Sequence, residues 1–286
     1  MKKLVLSLAF FFMTSACWTQ TAEEVLGEMS KRLAGFEDYQ VTVDGEFWVK
    51  GPKTKDKASS SSKILAKGLK QYNKTTGKDA KGNLINRLQI FDGKTSWDFD
   101  RVKGVIRKVN LSKMGEDVLK RLKELQDPTN LGLLGGLTYT MVEKEIEGRR
   151  YYVLTAAKPV KVGNQRFDKV VLWIDAESYL PYKTEMETVT EIKAAFSDSI
   201  KISQGTVQEF RDWKVNLGIP DYRFSLSIPK GVKVIDETEK AKEVAQIFRE
   251  QREREEAVKG KMAVAAKVKE SRERGEGEAM RNAKSE

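Results

Sequence analysis

The sequence predicts an α+β protein. Its expected core is a curved antiparallel β-sheet of about ten or eleven strands, forming an incomplete barrel covered by helices and followed by a charged C-terminal helix. Three observations predict this. Apolar and polar residues alternate with period two in many short stretches between Tyr39 and Ile228. Helical period appears near residues 21–36 and 111–126, and a third, charge-rich stretch fills the C-terminus. Turn residues separate the alternating stretches at hairpin spacing.

The first helix is read from Thr21 to Phe36. Thr21 and Glu24 form a capping box, and Val25, Leu26, Met29 and Leu33 fall on one face before Gly35. From Tyr39 to Lys50 the period changes to two. Tyr39, Val41, Val43, Phe47 and Val49 share one face, and Gly45 marks a bend or bulge. Residues 51–62 (GPKTKDKASSSS) read as a flexible polar loop that presents Lys53, Lys55 and Lys57 together. Strands are expected at Ile64–Tyr72, Leu84–Phe91, Thr95–Asp100 and Val105–Asn110, with turns at Thr76-Gly77, Lys81-Gly82-Asn83 and Asp92-Gly93. A second helix, capped by Ser112, runs from Leu111 to Gln126 and stops at Asp127-Pro128, and an apolar loop or short helix follows at Asn130–Gly136. Further strands are expected at Tyr139–Ile146, Tyr151–Ala156, Lys169–Asp175, Pro181–Thr190, Ser203–Val215 and Tyr222–Ile228.

The ends differ from this body. Lys2 and Lys3 precede the apolar run Leu4–Met13, and the small residues Thr14, Ser15 and Ala16 follow. That order describes a secretory signal peptide over residues 1–16. Residues 17–20 are a short linker. Cys17 is the only cysteine, so no intramolecular disulfide forms. Thr14-Ser15-Ala16-Cys17 resembles a bacterial lipobox, in which the cysteine is lipidated; the other reading is ordinary cleavage after Ala16 with Cys17 incidental. At the far end, residues 237–286 carry interleaved charges on half of their positions and no proline, which predicts a solvated helix, partly frayed or disordered, outside the core.

Composition narrows the chemistry. The chain has no histidine, which removes Ser-His-Asp and Cys-His catalysis and the commonest metal ligand. Asp98/Asp100 and Glu185/Glu187 are spaced as solvated strand edges, and the glycines near 132–136 lack the Gly-Lys-Ser/Thr of a phosphate loop. No enzyme, cofactor or metal site is expected. The net charge is +10, and it is local: residues 51–108 hold 15 Lys/Arg against 5 Asp/Glu, and the remainder holds 37 of each. Such a field favours an anionic partner, an anionic membrane surface or an acidic protein, and export argues against nucleic acid.

Four segments in order carry a resemblance: AEEVLGEMSKRLAGFEDYQVTVDGEF (22–47), FDGKTSWDFD (91–100), LWIDAESYLPYK (172–183) and GIPDYRFSLSIPKGVKVID (218–236). Over residues 21–236 the chain resembles the outer-membrane lipoprotein carrier, or LolA/LolB-like, superfamily. The family's arginine near the first strand has no counterpart between Tyr39 and Lys50. The resemblance implies a non-enzymatic envelope protein whose sheet takes acyl chains of lipids or lipoproteins, acting in lipoprotein sorting or transport to the outer membrane. It would sit in the periplasm or be anchored to the outer membrane through a lipidated Cys17. The candidate ligand surface is Val41, Val43, Phe47, Val49, Phe91, Trp97, Phe99, Trp173 and Phe224. The alternative is a structural or regulatory envelope protein that uses the same fold without a cavity and docks to a protein partner.

Overall fold

The computed structural model describes residues 20–52, 54–115, 118, 136–162, 165–192, 200–247 and 249–250. The expected signal peptide, Cys17, Lys53, the loop near 130–135 and the tail beyond residue 250 lie outside the described residues, as does most of the helix expected at 111–126. In that last stretch Leu111–Lys113 is a 3-10 turn, and Asn110 rather than Ser112 supplies the cap, its Oδ1 accepting from the Ser112 N–H at 3.1 Å.

The fold class is the expected one. The chain runs α1 (Ala22–Ala34), β1 (Asp38–Lys50), β2 (Lys55–Lys67), β3 (Lys70–Lys78), β4 (Leu84–Phe91), β5 (Thr95–Asp100), β6 (Val105–Asn110), β7 (Tyr139–Ile146), β8 (Arg149–Ala156), β9 (Val160–Val162), β10 (Gln165–Asp175), β11 (Pro181–Ile192), β12 (Ile200–Val215) and β13 (Lys233–Asp236). The sheet order is β13-β6-β5-β4-β3-β2-β1-β12-β11-β10-β8-β7, with β9 beside β10, so the sheet is open. The ladders from β2 through β6 are antiparallel, as are those joining β7, β8, β9, β10, β11 and β12, whereas β13 pairs with β6 in parallel. Residues 238–247 are helical and follow directly on β13.

Four expectations are corrected. The polar stretch up to Ser62 is no loop: from Lys55 onward it is strand β2, hydrogen-bonded to β3. A ladder is made by backbone groups, so a serine run supports it wherever a neighbour supplies partners. The stretch Ile64–Tyr72 is two strands, because Gly68 adopts φ +54 and turns the chain between them. Thr76-Gly77 is inside β3, and the turn lies at 79–83, where the Asp79 carboxylate accepts from the N–H groups of Lys81 and Asn83. Finally, Tyr222–Ile228 is not a strand. Asp221–Phe224 forms a 3-10 turn, with Phe224 1% exposed and Tyr222 72% exposed.

Two compact units are distinguished, one drawn from Met1–Phe36, Asp44–Ala58 and Asp127–Arg211, the other from Glu37–Val43, Ser59–Gln126 and Asp212–Glu286. In the first, α1 begins at the predicted capping box: Thr21 Oγ1 accepts from the Glu24 N–H (3.2 Å), and the Thr21 N–H donates to the Glu24 carboxylate (2.8 Å). Its apolar face, Val25, Leu26 and Met29, packs on Tyr139, Leu154, Leu172 and Ile174 of β7, β8 and β10. Burial there pushes the Tyr139 phenol up to about 12.

In the second unit the cover is irregular. Residues 219–226 lay Ile219, Phe224 and Leu226 over Leu65, Leu88, Ile90, Phe99 and Ile106. Asp38, buried at 2% exposure, fixes this cover from the start of β1: its carboxylate accepts from the N–H groups of Leu217 and Ile219, both at 2.7 Å. The Asp38 carbonyl accepts from the Asn216 N–H, and the Asn216 side chain accepts from the Glu37 N–H. Lys67 and Lys70 add ion pairs to Asp221 at 3.1 and 2.6 Å, and hydrogen bonds from Lys70 and Lys67 hold its carboxyl below the ordinary value.

Candidate ligand-binding face

Side chains alternate across a strand, and residues paired directly opposite share a face. The face of the first unit that carries α1 can therefore be followed outward from Leu172. Thr184 lies opposite Leu172, and Gln208 lies opposite Thr184; Met186 lies opposite Val170, and Thr206 opposite Met186; Thr188 lies opposite Phe167, and Gln204 opposite Thr188. Thr190 and Ile202 continue the row, and Phe210 completes it by alternation. None of the β11 and β12 residues in this row is charged.

The opposite face holds the charge. Lys183, Glu185, Glu187 and Glu209 alternate with the uncharged set. Partial burial works against the Glu185 carboxylate, but hydrogen bonds from Lys169 at 2.6 Å and from Lys183 outweigh it and hold that group below the ordinary range. Gly205 is also on this side, and the indole of Trp48 lies over it so closely that a Cβ would come within 2.2 Å of the ring. Only glycine fits there. Asp44 pairs with Arg211 and Glu46 with Lys57, so the even positions of β1 face the charged side. Phe47 and Val49 must then face the α1 side, where Phe47 remains 44% exposed.

The nine apolar residues singled out from the sequence are divided by this arrangement. Phe47 and Val49 come to the uncharged face. Val41 and Val43 are buried in the first half of β1, within the second unit. Phe99 and Phe224 are buried together in the second unit's core, with Trp97 packed against it, and Phe91 is buried at the end of β4. Trp173 lies on the charged side, because it alternates with Leu172 and Ile174 of the α1 core and pairs directly with Lys183. There it meets Tyr151 edge-on at 6.4 Å, and the ammonium groups of Lys144 and Lys183 stand 5.2 and 5.9 Å from its ring. Met186, Ile202, Thr206 and Phe210 are not among the nine, although the charged neighbours on both sides of Met186 and Phe210 are visible in the letters.

Of the lysines expected to meet an anionic surface, Lys55 and Lys57 are on β2, and Lys57 is paired with Glu46 at 3.0 Å. Two pockets are lined by described residues. One of about 470 Å³ is bounded by Arg149, Arg150, Asp175 and Glu177, and one of about 390 Å³ by Glu28, Lys31 and Arg32; both have charged walls. Among the described residues there is no His/Cys/Asp/Glu cluster fit for a metal, and no helix is long and apolar enough to cross a membrane.

No family model matches the sequence. A stretch of 153 residues is 27% identical to an uncharacterized protein of Methanocaldococcus jannaschii, covering 52% of this chain and 37% of that protein. The chain thus spans little more than a third of that relative's length. Among solved structures, an uncharacterized conserved protein of Thermus thermophilus is similar at a TM-score of 0.42 and 13% identity, over 76% of this chain and 99% of that one. A LolA superfamily protein of Nitrosomonas europaea is similar at 0.31 and 18%, over 73% and 99%. The Mycobacterium tuberculosis lipoprotein LppX is similar at 0.37 and 11%, over 73% and 100%.

Proposed function

We propose that this chain is a non-enzymatic envelope protein that binds acyl chains of lipids or lipoproteins on the uncharged face of β10–β12 and carries them in lipoprotein sorting or transport to the outer membrane. The observation that supports this reading is the segregation of charge on β11 and β12. Lys183, Glu185, Glu187 and Glu209 stand on one side, Lys183, Glu185 and Glu209 in ion pairs, and the residues that alternate with them on the other side are threonine, methionine, glutamine and phenylalanine. An acyl chain gains roughly 0.8 kcal/mol per buried CH₂ on a surface with no ion to desolvate, and a single charge there offsets several such groups. The purified protein is expected to carry a co-purified acyl ligand and to bind a fluorescent fatty-acyl probe. Met186→Asp and Phe47→Asp should weaken probe binding at least tenfold, while Glu187→Gln on the opposite face should leave it unchanged. A well-folded protein with neither ligand nor probe binding would end this reading in favour of an interaction protein, for which the solid packing of Phe99 and Phe224 in the second unit already argues.

The proposal includes export by residues 1–16 and anchoring through a lipidated Cys17. Cys17→Ser is then expected to move the protein from the membrane fraction to the soluble periplasmic fraction, or to leave it unprocessed. Recovery of the wild type as a soluble protein whose first residue, Cys17, carries a free amine and thiol would decide for simple secretion.

A further inference from the structure

In the β2–β3 hairpin two pairs of lysines stand directly opposite one another, Lys67 with Lys70 and Lys63 with Lys74. Like charges in that position destabilise a sheet. For the first pair the chain supplies a remedy, since Asp221 binds both ammonium groups. Some other cations of the same unit are likewise matched, Arg87 to Asp98, Lys103 to Asp100 and Lys108 to Asp236. Lys63 and Lys74 take part in none of the ion pairs among the described residues, and neither does Lys78, further along β3. All three are exposed.

Their face is defined by register. Lys74 lies opposite Leu88 and Lys78 opposite Leu84, so the three lysines share the side on which residues 219–226 lie. That side also exposes large apolar groups. Leu84, 69% exposed, stands beside Lys78, and Tyr222, 72% exposed, projects from the covering turn near Lys70. The strand rises about 3.3 Å per residue, so Lys74 and Lys78 are roughly 13 Å apart. Lys63 and Lys74 are cross-strand neighbours, but Lys78 stands too far along β3 to join them on one small anion, and lysine is a point charge rather than a bidentate fork. A surface that repeats its anions matches them, and Tyr222 and Leu84 suit the water–hydrocarbon boundary of such a surface.

We infer that this face of the second unit docks on an anionic phospholipid bilayer, with Lys63, Lys74 and Lys78 over the headgroups and Tyr222 and Leu84 entering the interface. The inference rests on the proposed envelope location and not on the ligand face of the first unit. The test is partition of the processed chain between buffer and vesicles of phosphatidylglycerol with phosphatidylcholine, against phosphatidylcholine alone. Binding is expected only to the anionic vesicles and should fall with added salt over the range in which the Debye length shrinks below about 10 Å. Lys63→Gln with Lys74→Gln should lower the partition constant about thirtyfold. Tyr222→Ser should lower it severalfold with no loss of thermal stability. Lys31→Gln with Lys242→Gln, which remove lysines already paired, should change nothing. Equal binding to both vesicle types, full binding by the Lys63/Lys74 variant, or loss of binding only on deletion of residues 251–286 would each overturn the inference. Acyl-probe binding measured on the same variants separates the two readings. It should be unaffected by the lysine changes, and its absence with lysine-dependent docking intact would remove the ligand proposal alone.

Discussion

Phe224→Ala is expected to lower the unfolding free energy by roughly 3–5 kcal/mol, a large share of the 5–15 kcal/mol typical of a domain. The ring is 1% exposed and is surrounded by Leu65, Leu88, Ile90, Phe99, Ile106 and Ile219. Its removal forfeits the transfer of an aromatic side chain from water and leaves a cavity. The sheet cannot collapse into that cavity, because its strands are fixed by their ladders. The contrast is built into the same turn: Tyr222 is 72% exposed, and Tyr222→Ala should cost less than about 0.5 kcal/mol. Chemical denaturation followed by circular dichroism checks both. A Phe224→Ala variant within about 1 kcal/mol of wild type would mean that the segment over residues 219–226 is not the cover of that core.

The second large effect is expected at Asp38. Its buried carboxylate accepts two backbone N–H groups, those of Leu217 and Ile219, at 2.7 Å each. Hydrogen bonds to a charged acceptor contribute about 1.5–3 kcal/mol, and a buried donor left without a partner costs about 1–3 kcal/mol. Leu217 is 51% exposed, so water can reach that region, but Ile219 is 5% exposed and its N–H would be orphaned. Asp38→Ala is therefore expected to cost about 2–4 kcal/mol. Asp38→Asn should recover only part of this, since its amide NH₂ would face one of the two donors. Hydrogen exchange gives the sharper readout: the Ile219 amide should lose protection in Asp38→Ala while amides of α1 in the other unit keep theirs. Unchanged protection at Ile219 would refute the latch.

These residues also mark what the sequence could and could not disclose. The capping box at Thr21 and Glu24 is legible because both of its bonds close within three residues. The turn at Asp92-Gly93 is legible for the same reason: Asp92 accepts from Lys94 and Thr95, and Gly93 adopts φ +95. Strand β2 is hidden because most of it buries neither face, so no alternation marks it, and only its neighbour makes it a strand. The alternation of Tyr222, Phe224, Leu226 and Ile228 is real in the letters. The segment nonetheless docks as a cover, because Asp38, 181 residues before Ile219, captures its backbone. The ligand face is half legible. Aromatic residues draw attention to Trp173, which simple alternation with Leu172 and Ile174 sends to the charged side, whereas the stronger signal is the exchange of charged and uncharged residues along 183–188.

The cover over the second core also sets an order of events in time. Phe99 and Phe224 touch the same cluster but are separated by about 125 residues of chain, and at roughly 5–20 residues per second synthesis takes some 6–25 s to deliver the second after the first. Hairpin contacts form in microseconds, so strands β2 to β6 are complete as a chain, with an apolar face bare, long before their lid exists. Under the proposed export this delay favours an unfolded chain, because the core that would lock it is assembled from its last part. The same interval is when the bare face of β4 and β5 is open to any passing chaperone or to another copy of itself.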